Sequence, residues 1–249
     1  MNKKFEEFKV SQSDALELSH FKEMDYFAVE NYALPIEFMM ENAGLQLAKL
    51  IAHSAIDSNA KILIGIGNGN NGGGGLVAAR RLAAWGYTVH LDVFTEITQD
   101  LPKEQLKRAL KFGATLEAID QVDIWVDAYL GFSQKLPLRT NLLERISKAN
   151  SNSCQRISLD IPTGFLGDTS LPYFQADKVL TLAAPKRILY NLPENTDVFI
   201  ADLGIPKIVY EKFGVNIPPF NLSGILKTCL LYTSPSPRDR TRSRMPSSA

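Results

Sequence analysis

The sequence is poor in the residues that mark several large functional classes. It has two cysteines, Cys154 and Cys229, whose separation fits neither a metal site nor a redox pair. A disulfide framework is therefore not expected, and a reducing, cytoplasmic setting is. Its three histidines, His20, His53 and His90, show no ligand spacing and read as structural. There is no apolar run long enough to cross a bilayer, so no transmembrane helix is expected. Residues 1–10 are polar and mixed in charge and lack the apolar stretch of a signal peptide. Net charge is lacking too, since 27 Lys and Arg balance 27 Asp and Glu. The balance is uneven along the chain. Residues 229–249 hold Arg238, Arg240, Arg242 and Arg244 against Asp239 alone, which leaves 23 basic and 26 acidic residues elsewhere. A slightly acidic body predicts no nucleic-acid surface.

What is present is an ordinary globular composition, 45% hydrophobic and 22% charged over 249 residues. That length suits one large α/β domain or two small ones. Residues 11–55 follow a helical pattern, with Ser13 as a candidate N-cap and a break at Leu34-Pro35. Strand and helix then alternate. Apolar runs at 61–65, 88–94, 124–127, 156–160, 178–182 and 197–201 read as strands. Residues 76–85, 103–112 and 141–149 read as helices, the first two closed by Gly86 and Gly113. Repeated β-α-β units predict a mostly parallel sheet covered on both faces. The expected fold is an α/β, Rossmann-like three-layer sandwich with extra N-terminal helices.

Sheets of this kind bind ligands beyond the carboxyl ends of their strands. Three features fall there: a glycine-rich loop at 67–75, Asp127 and Asp160. In the loop, glycines let a backbone approach a phosphate, and the following helix N-terminus offers free N–H groups. The absence of Gly-Lys-Ser/Thr excludes a Walker loop. Gly67, Gly69 and Gly72 satisfy the Gly-x-Gly-x-x-Gly pattern, with Asp92 twenty residues beyond the last, which is also compatible with an ordinary NAD-dependent dehydrogenase.

The residues go further than that generic signal. Residues 69–82 (GNNGGGGLVAARRL), 39–44 (MMENAG), 126–131 (VDAYLG), 158–164 (SLDIPTG), Pro185-Lys186 and 202–206 (DLGIP) occur in an order and spacing that resembles the NAD(P)H-hydrate epimerase family. The resemblance covers roughly residues 15–207. It implies interconversion of the R and S hydrates of NADH and NADPH (NADHX and NADPHX), so that an S-specific dehydratase can restore the cofactor. It also implies a potassium ion held by Asn71, Asp127 and Thr163. The hydrate would contact Asn42, Asn70, Asn71, Gly72, Gly73, Gly74, Gly131, Phe132, Ser133, Asp160 and Lys186. Asp160 and Asp127 are the carboxylates implied for acid–base work, Asp160 at the reacting ring and Asp127 at the ion. A homodimer is implied as well. Other readings stay open for single residues. Either aspartate could cap the following turn, Asn42 could bridge helices, and Lys186 could be a surface lysine.

The chain departs from the family pattern at three places. Gly74 stands where the family loop carries Asp. Gly131-Phe132-Ser133 replaces Gly-Thr-Gly. Thr163 replaces a Ser and keeps the hydroxyl. The first departure supports an alternative function, a catalytically silent nucleotide-binding and dimerisation module. Residues 1–220 are expected to form the domain, and 221–228 the start of a linker to a dehydratase. Residues 229–249 (CLLYTSPSPRDRTRSRMPSSA) resemble the in-frame translation of a sequencing-library adaptor and are set aside from the fold.

Overall fold

In the computed structural model, residues 4–55, 57, 59–220 and 222–231 are described. Eight strands form one sheet: β1 (Glu6–Ser11), β2 (Lys61–Ile66), β3 (Thr88–Val93), β4 (Ile124–Ala128), β5 (Gln155–Leu159), β6 (Lys178–Leu182), β7 (Asp197–Ala201) and β8 (Ile225–Leu231). Their order across the sheet is β1-β8-β7-β6-β5-β4-β2-β3, and every pair is parallel except β7 with β8. Among the described residues there are six α-helices: α1 (Leu18–Tyr32), α2 (Ile36–Ser54), α3 (Asn70–Ala84), α4 (Asp100–Lys111), α5 (Thr140–Ser151) and α6 (Lys207–Lys212).

The period-2 geometry of strands explains the three layers. Ile62, Ile64 and Ile66 of β2 join a core built with α2, α3 and α4, while Leu63 between them faces a second core with Trp125 and α5. A third cluster holds α1 and α6 against the carboxyl end of the sheet through Phe21, Met24, Val209 and Tyr210. The Rossmann-like sandwich expected from the pattern is therefore present. From β2 the chain moves outward to β3, then returns past β2 to β4. The order reverses there, and the crevice at such a point is where open α/β sheets bind ligands.

Several local expectations are corrected. Helix α1 starts at Leu18, with Glu17 and not Ser13 in the capping position. Ser13 lies in a short 3-10 turn, where Ser11 Oγ donates to Asp14 Oδ2. Strand β1 was not foreseen. The glycine run is not a loop throughout, because α3 begins at Asn70 and takes Gly72 to Gly75 into its first turns. The segment 221–228 is not a linker start in its second half: β8 begins at Ile225 and pairs with β1 and β7. The strand also runs through residues 229–231, which the sequence reading had set aside; residues 232–249 lie outside the described residues.

Candidate functional site

A cavity of about 320 Å³ opens at the switch point. Its floor is the carboxyl end of β4 and β5, with Leu130, Gly131, Leu159 and Asp160. Gly69, Asn70 and Asn71 bring the N-terminus of α3 to one side, and Phe132, Ser133 and Gln134 form another. Helices α1 and α2 supply an apolar wall that includes Phe21, Tyr26, Met39 and Met40.

The loop glycines serve two different purposes. A Cβ at Gly67 would lie 1.9 Å from the Tyr129 carbonyl oxygen, one at Gly72 2.0 Å from the Gly67 oxygen, and one at Gly75 2.6 Å from Ala128 Cβ. These positions are small because the protein packs on itself there. Gly72, Gly73 and Gly74 are buried beneath the cavity rather than lining it. Gly69 is different: apart from its immediate chain neighbours, nothing lies within 4 Å of where its Cβ would be, and it lines the cavity. Only there does the missing side chain leave ligand-sized room in front of the α3 N–H groups.

Asn71, Asp127 and Thr163 are brought together. Asp127 is fully buried at the end of β4 and accepts four hydrogen bonds. Thr163 Oγ1 (2.6 Å) and the Tyr129 N–H (3.2 Å) donate to Oδ1; Ser158 Oγ (2.9 Å) and the Thr163 N–H (2.8 Å) donate to Oδ2. Burial pushes its carboxyl up to about 6, against the pull of those four donors. Leu130 links the group, its N–H donating to Thr163 Oγ1 (3.1 Å) and its carbonyl accepting from Asn71 Nδ2 (2.8 Å). Asn71 Nδ2 also reaches the Leu159 carbonyl (3.3 Å), which leaves Oδ1 without a hydrogen bond among the described residues. An amide oxygen, a carboxylate, a hydroxyl and nearby carbonyls are hard oxygen donors, so the donor chemistry fits potassium. Asp127 itself does not line the cavity.

Asp160 does. It sits just past β5 with φ of 71°, a strained value for a residue other than glycine. Its Oδ2 accepts the Phe132 N–H (2.8 Å), and its Oδ1 lies 2.8 Å from Lys186 Nζ. A Cβ on Gly131 would come within 3.1 Å of Asp160 Oδ2 and 3.2 Å of Asn71, so glycine lets this loop close over both. Lys186 is entirely buried, not a surface residue. It donates to Thr181 Oγ1 (2.9 Å) and the Leu182 carbonyl (3.0 Å) and lies 3.7 Å from the Phe21 ring centre. Burial lowers its ammonium below the usual lysine range, opposed by Asp160. Phe21 in turn meets Phe132 edge-on at 5.2 Å. Phe132 thus packs on the aromatic ring that covers Lys186.

Other expected residues fall elsewhere. Asn42 Nδ2 donates to the Leu203 carbonyl (2.9 Å), tying α2 to the loop after β7, and is not among the cavity residues. Its neighbour Glu41 pairs with Arg80 (2.6 Å) and Arg81 (2.9 Å), which joins two of the sequence motifs across α2 and α3. Asp92, the acid expected of a dehydrogenase fingerprint, accepts from Tyr129 Oη (2.5 Å) and Arg145 Nε (3.0 Å), so it is occupied by the protein. The sequence reading missed Gln134, whose amide oxygen Oε1 accepts the Gly164 N–H (2.6 Å), and Asp25 of α1, which lines the cavity.

The family model described as YjeF-related protein N-terminus matches residues 36–188. An NAD(P)H-hydrate epimerase of Rhodopirellula baltica is 34% identical over 224 residues, covering 83% of this chain and 91% of that protein. One from Dehalogenimonas lykanthroporepellens is 34% identical over 206 residues, covering 78% and 83%. The bifunctional NAD(P)H-hydrate repair enzyme Nnr of Thermofilum pendens is 32% identical over 216 residues, covering 78% of this chain and 41% of that one. The crystal structure of a yeast protein superposes with a TM-score of 0.76 at 23% identity, covering 86% of this chain and 99% of that one, which shows a shared fold. The chain belongs to the YjeF-related N-terminal family, the family of the NAD(P)H-hydrate epimerases.

Proposed function

We propose that this chain is an isomerase that interconverts the R and S hydrates of NADH and NADPH. The observation that carries the reading is Asp160, a carboxylate held in a strained backbone position at the cavity floor beside the α3 N-terminus. The N–H groups of α3 and the open position at Gly69 suit the diphosphate of a dinucleotide. The apolar α1–α2 wall suits the reduced ring and limits access of bulk water. Asp160 is the group for proton transfer at the hydroxyl of the hydrated carbon. Asp127, below the floor, is the carboxylate that with Asn71 and Thr163 would hold potassium, exchanging part of its four internal hydrogen bonds for the ion rather than touching the ring. A bound potassium ion would supply fixed positive charge for the substrate's anionic groups. Asn42, Gly72, Gly73, Gly74 and Lys186 shape the site from behind its surface.

Further parts of the reading concern context. The chain works as a homodimer in the cytoplasm, a setting suited to its free thiols Cys154 and Cys229, and beside a dehydratase. The match to 41% of a bifunctional repair enzyme supports that pairing. Residues 1–220 are the core of the domain, completed by β8.

The test is conversion of R-hydrate by the full chain, followed by chiral chromatography, in potassium and in potassium-free buffer. Potassium-dependent conversion is expected. Gly74 favours a second reading, the silent binding module. A Cβ there would meet Leu159 Cδ2 at 3.1 Å, so a side chain can start at this position after a small shift of Leu159. Hydrate binding without conversion by the natural chain, with activity gained in Gly74→Asp, would establish that reading instead.

A further inference from the structure

The cavity contains a carboxylate to which the scheme above gives no task. Asp25 lies on α1 one helical turn after Phe21, on the side that buries Phe21, Met24 and Ala28. It is half-buried and lines the cavity together with Asp160. Among the described residues its carboxylate has no hydrogen bond and no ion pair. The charged groups that face it are Lys186, after β6, and Asp160, after β5. Burial without a hydrogen bond costs this carboxylate more than the attraction of Lys186 returns, and Asp160 repels it, so a role toward a ligand is the physical reason to keep it there.

We propose that Asp25 is a second catalytic residue of the site, the acid–base partner of Asp160. This rests on the epimerase reading. Inversion at a carbon that bears a hydroxyl and a ring nitrogen can proceed by exchange of the oxygen. The C–O bond breaks with its electron pair on oxygen, which takes the Asp25 proton and departs as water, while the nitrogen lone pair forms C=N⁺. Water then adds to the other face, the C=N electrons return to nitrogen, and the proton shed by that water passes to Asp160. In the reverse direction the two carboxylates exchange roles, and the solvent-open side of the cavity resets their protons. One water leaves and one enters, so no further reactant is needed. A reaction that must run on both faces of a ring uses two proton-transfer groups, and these two come from separate elements, α1 and the end of β5. Burial, reinforced by Asp160 and opposed by Lys186, raises the Asp25 carboxyl to about 6, a value suited to an acid near neutral pH.

The experiment compares the full chain with Asp25→Asn and Asp25→Glu, measuring kcat and KM for R-hydrate across about pH 5–9 and hydrate affinity by calorimetry. Expected for Asp25→Asn is a fall in kcat of ~100-fold or more, with affinity and KM within about threefold and loss of the pH limb near the Asp25 transition. Asp25→Glu should recover part of the rate. The inference is overturned if Asp25→Asn keeps a rate within about threefold and the same pH limb, or if hydrate affinity falls in step with the rate. In either case the active natural chain keeps the epimerase reading. An inactive natural chain sinks that reading and this inference with it.

Discussion

Lys186 and Asp160 are an ion pair with almost no contact with water, at 0% and 1% exposure. Each charge is stabilised by the other in that position, and removing one partner of such a pair by mutation typically costs about 3–5 kcal/mol. Their pairing therefore fixes the loops after β5 and β6 relative to each other. Asp25 stands outside this pairing and carries the opposite consequence. Burial pushes its carboxyl up to about 6 from the ordinary aspartate value of 3.8, so between those values the folded state binds more protons than the unfolded one. Stability must then fall as pH rises from about 4 to about 6 and level off above. Asp25→Asn removes that titration. The variant should match the natural chain in thermal unfolding near pH 4 and exceed it at pH 8 by about 2 kcal/mol, after allowing for solvent screening. An equal or lower stability of the variant at pH 8 would show that the carboxylate has a partner when folded. Asp25 was not read from the sequence because α1 carries acids and bases at many positions. The available signal was its place on the apolar stripe, four residues after Phe21, where a charged side chain faces the protein rather than water.

At the level of elements, the central strands were legible because strands buried on both faces read as continuous apolar runs, as in KILIGI and IWVDA. β1 was not, since EEFKVS is a half-exposed edge strand whose charges hide its alternation. The carboxylate ends of β4 and β5 were also legible, by position alone. What Asp127 touches was not, because its donors come from residues two to thirty-six positions away. Nor was the start of α3 legible. Four consecutive glycines oppose a helix by about 1 kcal/mol each relative to alanine, and tertiary packing overrides that preference. The same glycines make a graded test. A Cβ at position 72 meets a backbone carbonyl at 2.0 Å and cannot be relieved by a side-chain movement, whereas at position 74 it meets the flexible end of Leu159 at 3.1 Å. Gly72→Ala should destabilise the chain by roughly 3 kcal/mol or more. Gly74→Ala should stay within about 1 kcal/mol of the natural chain, since helix propensity offsets the small contact cost. Denaturant unfolding of both variants would decide it, and equal losses would mean that α3 does not start where the structure places it.

Across the whole molecule, the two ends of the described chain meet at one sheet edge. β8 pairs in parallel with β1 from Glu6–Leu226 to Ser11–Leu231 and in antiparallel fashion with β7. That edge is coupled to the site. Tyr190 Oη donates to the Val10 carbonyl of β1 (2.7 Å), and the chain leaving β1 forms a bridge to the Lys186 loop. In it the Leu16 N–H donates to the Pro185 carbonyl (2.9 Å) and the Arg187 N–H to the Leu16 carbonyl (2.8 Å). Lys186, and through it Asp160, is thus held partly by a strand pair remote in sequence, β1 ending 175 residues before it and β8 beginning 39 residues after it. Ending the chain after Gly224 removes β8, including Ile225 and Leu226, which are 0% and 1% exposed. Loss of those two side chains alone should cost about 3–6 kcal/mol. If the coupling is real, the loss is not confined to the edge: amide exchange should accelerate at Leu16 and Arg187 while Ile64 and Val126 of the central strands stay protected. Unchanged exchange at Leu16 and Arg187 in the shortened chain would mean that β1 keeps its place without β8, and that the Lys186 loop is fixed by its ion pair and its own hydrogen bonds.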